Sequence, residues 1–304
     1  MALAIDTQRL TKFYGSNRGV EDLDLDVYEG EVFGFLGPNG AGKSTTINLL
    51  MDQIRPTSGR AIVLGQDSHA DHVPIHARVG FLPGELALYE RLTGREMLTY
   101  LANLRGGMPA DRLGALAERF AAELDRPIHS LSMGNKQKIG LVQAFMHDPD
   151  LLILDEPTVG LDPLVQREFQ HLVREVVARG RTVFLSSHTL SEVERVADRV
   201  GIIREGRLVE VAEVSRLKAL AVRRIELIFD VPPDPAVFRC IGGVREAVAD
   251  DTLLQVHLEG PMAELLKVAA DHGVQDVRTH EADLEEVFLT FYRAQGPPEG
   301  GGRR

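Results

Sequence analysis

An α/β fold built on a parallel sheet is what this 304-residue sequence predicts, and three observations predict it. The run Glu31 to Leu36 feeds a glycine-rich loop, Gly37-Pro38-Asn39-Gly40-Ala41-Gly42-Lys43-Ser44-Thr45, which opens a helix through Leu49 and Leu50. A second apolar run, Leu151-Leu152-Ile153-Leu154, ends in Asp155-Glu156, the pattern of a strand buried on both faces that delivers carboxylates at its carboxyl end. Around and between these runs lie stretches of helical periodicity, so strands and helices alternate as they do when helices cover a parallel sheet.

Taken in order, Leu3 to Ile5 and then Leu23, Leu25 and Val27 alternate apolar with polar, the period of half-buried strands. Thr93-Gly94-Arg95-Glu96 has the spacing of a capping box and starts a helical subdomain from Glu96 to about Leu124. Asp162 and Pro163 read as N-cap and first helical residue. Val165, Phe169, Leu172, Val173 and Val176 then mark one apolar face, and Gly180 supplies the stop. Thr182 to Leu185 is a further strand, and Val200 to Ile203 with Leu208 to Val211 flank Glu205-Gly206 as a hairpin.

The first domain is expected to span 1–214, followed by a linker over 215–223, with a short charged helix from Val214 to Leu220 across that boundary. A small α+β domain then covers 224–293. Ile225, Leu227 and Phe229 alternate, Ala236 to Ile241 is helical, and Val244 to Val248 pairs with Leu254, Val256 and Leu258. Met262 to His272 is helical and Val274 to Val277 is a strand. That order is the split βαβ of a ferredoxin-like domain. A last helix carries Leu284, Val287, Phe288 and Phe291 on one face, read as core of the small domain, and 294–304 is a Gly/Pro-rich tail expected to be disordered.

Bulk composition narrows the function classes. The single cysteine, Cys240, excludes an intrachain disulfide and a cysteine-based zinc site. No apolar run approaches the ~18 residues of a membrane helix, and Met1 to Lys12 lacks the order of a signal peptide, so a soluble chain is expected. With 34 basic and 45 acidic residues the net charge of −11 disfavours a broad nucleic-acid surface.

The glycine-rich loop fits GxxxxGK[ST], in which successive backbone N–H groups converge on phosphate oxygens, a lysine neutralises charge and a hydroxyl holds Mg²⁺. The following helix adds its partial positive charge. The expected ligand is a nucleoside triphosphate with Mg²⁺. Lys43 and the loop amides supply a fixed positive field, Ser44 ligates Mg²⁺, and Asp155 holds it through water as an oxygen donor to a hard cation. Glu156 is the candidate general base toward an attacking water.

Between the two nucleotide motifs lies Leu131-Ser132-Met133-Gly134-Asn135-Lys136-Gln137, which resembles the signature sequence of ATP-binding cassette (ABC) ATPases. Tyr14 resembles the family's adenine-stacking aromatic, Gly160-Leu161-Asp162 its D-loop, and His188 after Ser186-Ser187 its switch histidine. The resemblance covers roughly Met1 to Val214 and implies an ABC-type P-loop nucleotide-binding domain. It implies that His188 bonds the γ-phosphate and the water, and that Ser132 and Gly134 close the ATP of a second copy, making a dimer. The C-terminal part, ending in Leu284-Glu285-Glu286-Val287-Phe288, resembles the tail of exporter ATPases that serve a separately encoded multi-pass membrane permease. The implied function is ATP hydrolysis powering export from the cytoplasmic face of the membrane, with substrate chosen by the permease. A soluble ABC ATPase acting on nucleic acid or ribosomes is the alternative, for which coiled-coil heptads, zinc cysteines or a second cassette would be expected. A nucleotide sensor without turnover is a third reading, against which Asp155, Glu156 and His188 argue.

Two positions depart from the family pattern. Where it places a glutamine that touches Mg²⁺, after Val79-Gly80-Phe81-Leu82-Pro83, this chain has Gly84 and then Glu85. Either the Glu85 carboxylate takes over or water fills the place. Asn135 replaces a glutamine, keeping the amide with a shorter reach. Lys136, Gln137 and Lys138 read as a solvated helix face, and the nine histidines other than His188 as surface or structural.

Overall fold

The structure, a computed structural model, describes residues 2–107, 109–220 and 223–279. The chain divides into two compact units between Val211 and Ala212. The elements of the first are β1 (Leu3–Tyr14), β2 (Asn17–Tyr28), β3 (Val32–Leu36), α1 (Lys43–Leu50), β4 (Ser58–Val63), β5 (Gln66–Asp67), α2 (His72–Arg78) and β6 (Val79–Leu82). They continue with α3 (Gly94–Leu104), α4 (Ala110–Arg119), α5 (Met133–Phe145), β7 (Leu151–Asp155), α6 (Pro163–Ala178), β8 (Thr182–Ser187), α7 (Leu190–Val196), β9 (Arg199–Arg204) and β10 (Arg207–Glu213), the last running two residues past the division.

These strands form two sheets. One is antiparallel in the order β2-β1-β4-β5; the other has the order β10-β9-β3-β8-β7-β6, with β9, β3, β8, β7 and β6 parallel. Every residue of β3, β7 and β8 is buried, as expected of strands covered on both faces. One core joins Leu10, Leu23 and Leu25 of the antiparallel sheet, Ile47 and Leu50 of α1, and Phe33, Ile153 and Phe184 of the parallel sheet. The helix that follows the phosphate loop is thereby fixed to both sheets.

Helix α6 behaves as its sequence requires. Asp162 caps it with Pro163 behind, and Val165, Phe169, Leu172, Val173 and Val176 are its buried residues. Each such side chain contributes about 1.5–3 kcal/mol by leaving water. The capping box at Thr93 and Glu96 forms, with the Glu96 N–H donating to Thr93 Oγ1 at 3.2 Å and the Thr93 N–H to the Glu96 carboxylate at 2.8 Å. The helical subdomain expected from Glu96 to about Leu124 consists of α3 and α4. Gly106 and Gly107 lie at φ 91° and 96°, outside any right-handed helix, and end α3.

His147, expected to be surface or structural, is structural. It follows α5, and its Nε2 lies 3.1 Å from the Val79 carbonyl. Burial, with Arg105 adding repulsion, pushes the imidazole down to about 4 from 6.5. Between those values the unfolded chain takes up a proton that the folded chain refuses, so this site's stabilisation is full above pH 6.5 and is lost as pH falls toward 4. His147→Gln is therefore expected to flatten the loss of denaturant midpoint between pH 7 and pH 4.5. Equal slopes for the two proteins would refute the assignment.

The second unit contains α8 (Val214–Leu220), β11 (Arg223–Phe229), α9 (Pro235–Arg239), β12 (Val244–Asp250), β13 (Leu253–Leu258), α10 (Ala263–Asp271) and β14 (Val274–Thr279). The sheet order β12-β13-β11-β14, antiparallel throughout, is that of the ferredoxin-like split βαβ. Ile225, Leu227 and Phe229 alternate into its core with Phe238, Val256 and Leu265. The Leu284 to Phe291 stripe and the 294–304 tail lie outside the described residues.

Candidate nucleotide site

The phosphate loop is held by contacts that only glycine tolerates. At Gly42, φ is 112° and a Cβ would lie 2.7 Å from the Gly19 carbonyl oxygen; at Gly37 it would lie 2.5 Å from that of Ile203. Hydrogen bonding in α1 begins with the Thr46 N–H to the Gly42 carbonyl at 2.9 Å, so the amides of Lys43, Ser44 and Thr45 precede the ladder. No side chain caps this helix. Lys43, 5% exposed, curls back so that Nζ donates to the Gly37 and Pro38 carbonyls at 2.7 and 3.2 Å. Ser44 is exposed at the same turn. Loop amides, a lysine and a hydroxyl on one helix start suit a polyphosphate.

Tyr14 is half-exposed at the end of β1, with the Lys12 ammonium 5.3 Å from its ring centroid. A Cβ placed at Gly19 would touch both Tyr14 Cε2 and Thr45 Cγ2, so the ring stands beside the loop's last residue.

The sheet order brings the rest of the site together. β8 lies between β3 and β7, with Ser187 registered on Leu36 and Ser186 on Asp155. The loop, the acid pair and His188 therefore emerge side by side at the carboxyl ends of three parallel strands, where ligands bind in open α/β sheets. Asp155 is 3% exposed and accepts a hydrogen bond at Oδ1 from Ser186 Oγ. One carboxylate oxygen of Glu156 lies 3.2 Å from Lys43 Nζ, and the other lies 2.5 Å from His188 Nδ1. His188 sits in the turn between β8 and α7, bonded to the candidate base.

Gly84 lies against Asp155. A Cβ there would come within 2.9 Å of Asp155 Oδ2, so a side chain at this position would press on that carboxylate. Glu85 is exposed beside it. Asp155, with its oxygen donors in a buried setting, and Ser44 fit a hard cation such as Mg²⁺.

The signature segment forms a separate corner. Ser132 caps α5, its Oγ accepting from the Asn135 N–H at 3.2 Å, and a Cβ at Gly134 would strike the Gly160 carbonyl oxygen at 2.5 Å. Asn135 spans the backbone of Glu123 with both amide atoms, at 2.8 and 2.9 Å, which gives the shortened side chain a defined structural job. Asp162 caps α6 through the N–H groups of Leu164 and Val165 and pairs with Lys138 at 3.4 Å. The Val165 amide, aided by Lys138, holds its carboxyl below the usual range. Ser132 bonds within this corner, whereas Lys43, Glu156 and His188 bond to one another.

Gln137 corrects the sequence reading. It is 6% exposed, and its Nε2 donates to the Pro157 carbonyl at 3.2 Å and the Glu156 carbonyl at 3.4 Å, tying α5 to the acid turn. Sequence reasoning missed Ser186 as well, although a serine at the end of an apolar strand is the signal that could have found it. His69 and His72, expected to be surface or structural, lie with Asp52 past the far end of α1, their donor atoms within 4.8 Å of one another and the Arg55 guanidinium against His69.

Comparison with known proteins agrees with this geometry. The ABC transporter family profile matches residues 20–159. The bacitracin transport ATP-binding protein BcrA of Bacillus licheniformis is 40% identical over 297 residues, 95% of this chain and 97% of that protein. The daunorubicin/doxorubicin resistance ATP-binding protein DrrA of Streptomyces peucetius is 32% identical over 303 residues, 95% and 92% of the two chains. A solved ATP-binding subunit of an ABC transporter superposes with a TM-score of 0.65 at 30% identity, over 71% of this chain and 92% of that one. A phosphate loop wired through Lys43 to Glu156, beside the buried Asp155, in a chain alike to such subunits over almost its whole length, belongs to an ATP-hydrolysing subunit of the ABC transporter family.

Proposed function

We propose that this chain binds Mg-ATP and hydrolyses it to drive export through a separately encoded multi-pass membrane permease, docked at the cytoplasmic face of the membrane. The observation that carries the reading is the Lys43–Glu156–His188 array at the carboxyl end of the parallel sheet. Lys43 and the amides of Gly40 to Thr45 bind phosphate oxygens, and Tyr14 stacks on adenine. Ser44 and Asp155 hold Mg²⁺, which offsets charge on the transferred phosphoryl group. Glu156 takes the proton of the attacking water, and His188 fixes the direction of that carboxylate. Domain 1–214 carries this chemistry; the 224–293 domain supports the dimer or regulates closure.

Export is favoured by the relatives, a bacitracin transport protein and a drug-resistance protein, each matched over 95% of this chain. Among the described residues no helix is long and apolar enough to cross a membrane, in keeping with a pore supplied by another chain. Nucleic acid is not an expected partner.

Purified full-length chain is expected to release phosphate from ATP only with Mg²⁺, and the membrane fraction solubilised in mild detergent is expected to yield one integral membrane protein on capture of this chain. ATPase activity that rises with nucleic acid or ribosomes, without a membrane partner, would overturn export. The same assay, titrated with Mg²⁺, addresses Glu85. As a ligand its alanine variant needs more metal for half-maximal rate; an unchanged requirement assigns that position to water.

A further inference from the structure

We propose that Ser186 is the positioning residue of this site, fixing with one hydroxyl both the carboxylate of Asp155 and the turn that presents Glu156. The proposal rests on the ATPase reading above and deepens it.

Ser186, the next-to-last residue of β8, lies directly opposite Asp155 in the parallel register and is 0% exposed. A serine hydroxyl has one proton to give and lone pairs to receive. Here the proton goes to Asp155 Oδ1, and a lone pair accepts the Glu156 N–H at 3.1 Å. The first bond engages Oδ1 and leaves Oδ2 on the side of Gly84. The second bond acts on a strained point. Glu156 has φ 50°, the left-handed region that a residue with a Cβ enters at a cost, and from that turn its carboxylate reaches Lys43 and His188. One hydroxyl thus couples the geometry of the metal ligand to that of the base.

The neighbouring serine shows that a buried hydroxyl at this strand end need not do this. Ser187 points to the other side, donating to the Glu192 carboxylate at 2.7 Å and accepting the Thr189 N–H at 2.9 Å, so it organises the turn after His188. Its bonds do not involve the acid pair.

Threonine and valine at 186 have the same branched shape and differ by a hydroxyl against a methyl. A cavity of about 200 Å³ is lined in part by Ser186, Leu185, Phe169 and Thr158. Ser186→Thr is expected to keep ATP turnover within about threefold of the native chain. Ser186→Val is expected to lose about 10- to 100-fold in kcat and to need about tenfold more Mg²⁺ for half-maximal rate, the range for losing a group that orients a metal ligand. Binding of ATP without metal stays the same in all three. Mn²⁺ titration in the presence of ATP, followed by electron paramagnetic resonance, reads the metal site without turnover and should show the same weakening for valine alone. Should the valine chain fail to fold, Ser186→Ala, which adds no atom, makes the same comparison with the native chain.

Equal metal dependence of the hydroxyl-bearing and hydroxyl-free chains would overturn the role of Ser186 and leave the ATPase reading standing. Failure of the native chain itself to bind Mg-ATP would bring down both.

Discussion

Glu156→Gln is expected to lower ATP turnover by at least about 100-fold while Mg-ATP binding survives, the loss typical of removing a positioned general base. The glutamine is isosteric and keeps an oxygen for Lys43, which also donates to the Gly37 and Pro38 carbonyls, so the phosphate loop retains its shape. What disappears is the basicity of an oxygen that His188 holds from 2.5 Å away. Affinity is expected to hold or tighten, because the Glu156 carboxylate no longer competes with phosphate oxygens for the ammonium of Lys43. Phosphate release from a saturating ATP solution, paired with equilibrium binding of a fluorescent ATP analogue, checks both halves. A native rate would remove Glu156 from the role of base and leave Asp155 and Lys43 where they are.

The parts of this site legible in the sequence are those whose chemistry admits few residue types at fixed spacing. Gly37, Gly42 and Lys43 are demanded by close backbone approaches and by a buried charge, and so form a local pattern. Asp155-Glu156 announces itself by ending an apolar run. Strands such as Ile225-Leu227-Phe229 are readable because one face is buried and the period is two.

What escaped the sequence was set by contacts remote along the chain. Gln137 lies between two lysines, yet successive residues on a helix point about 100° apart, and α5 happens to turn that one toward the acid turn. Ser186 gains its role only because β8 inserts between β3 and β7, a sheet order that no local pattern states. The break at Gly106-Gly107 was masked by the leucine- and alanine-rich flanks on either side. Gly84 reads in sequence as the loss of a ligand, and its close approach to the Asp155 carboxylate, 84 to 155 along the chain, is a contact that no local pattern states.

A mixture of Lys43→Ala and Ser132→Arg chains, each inactive alone, is expected to regain about a quarter of native turnover per chain. The figure follows from random pairing in a two-fold dimer whose sites are shared. Half the dimers are mixed, and each of those has one of its two sites with both Lys43 and Ser132 intact. The surface around Ser132 suits such sharing. Ser132 is exposed, Met133 and Leu164 are 68% and 74% exposed, and the turn from Val159 to Asp162 packs beside them through Gly134 and Gly160. Apolar side chains gathered at exposed caps are what a second copy would cover. Arginine at 132 adds bulk and charge at a capping position without touching Lys43, so its inactivity would arise in the partner's site. A rate below a quarter would indicate that the two sites must act together. No rescue at any mixing ratio, with each variant still folded, would mean that every chain completes its own site and that Ser132 does not reach across.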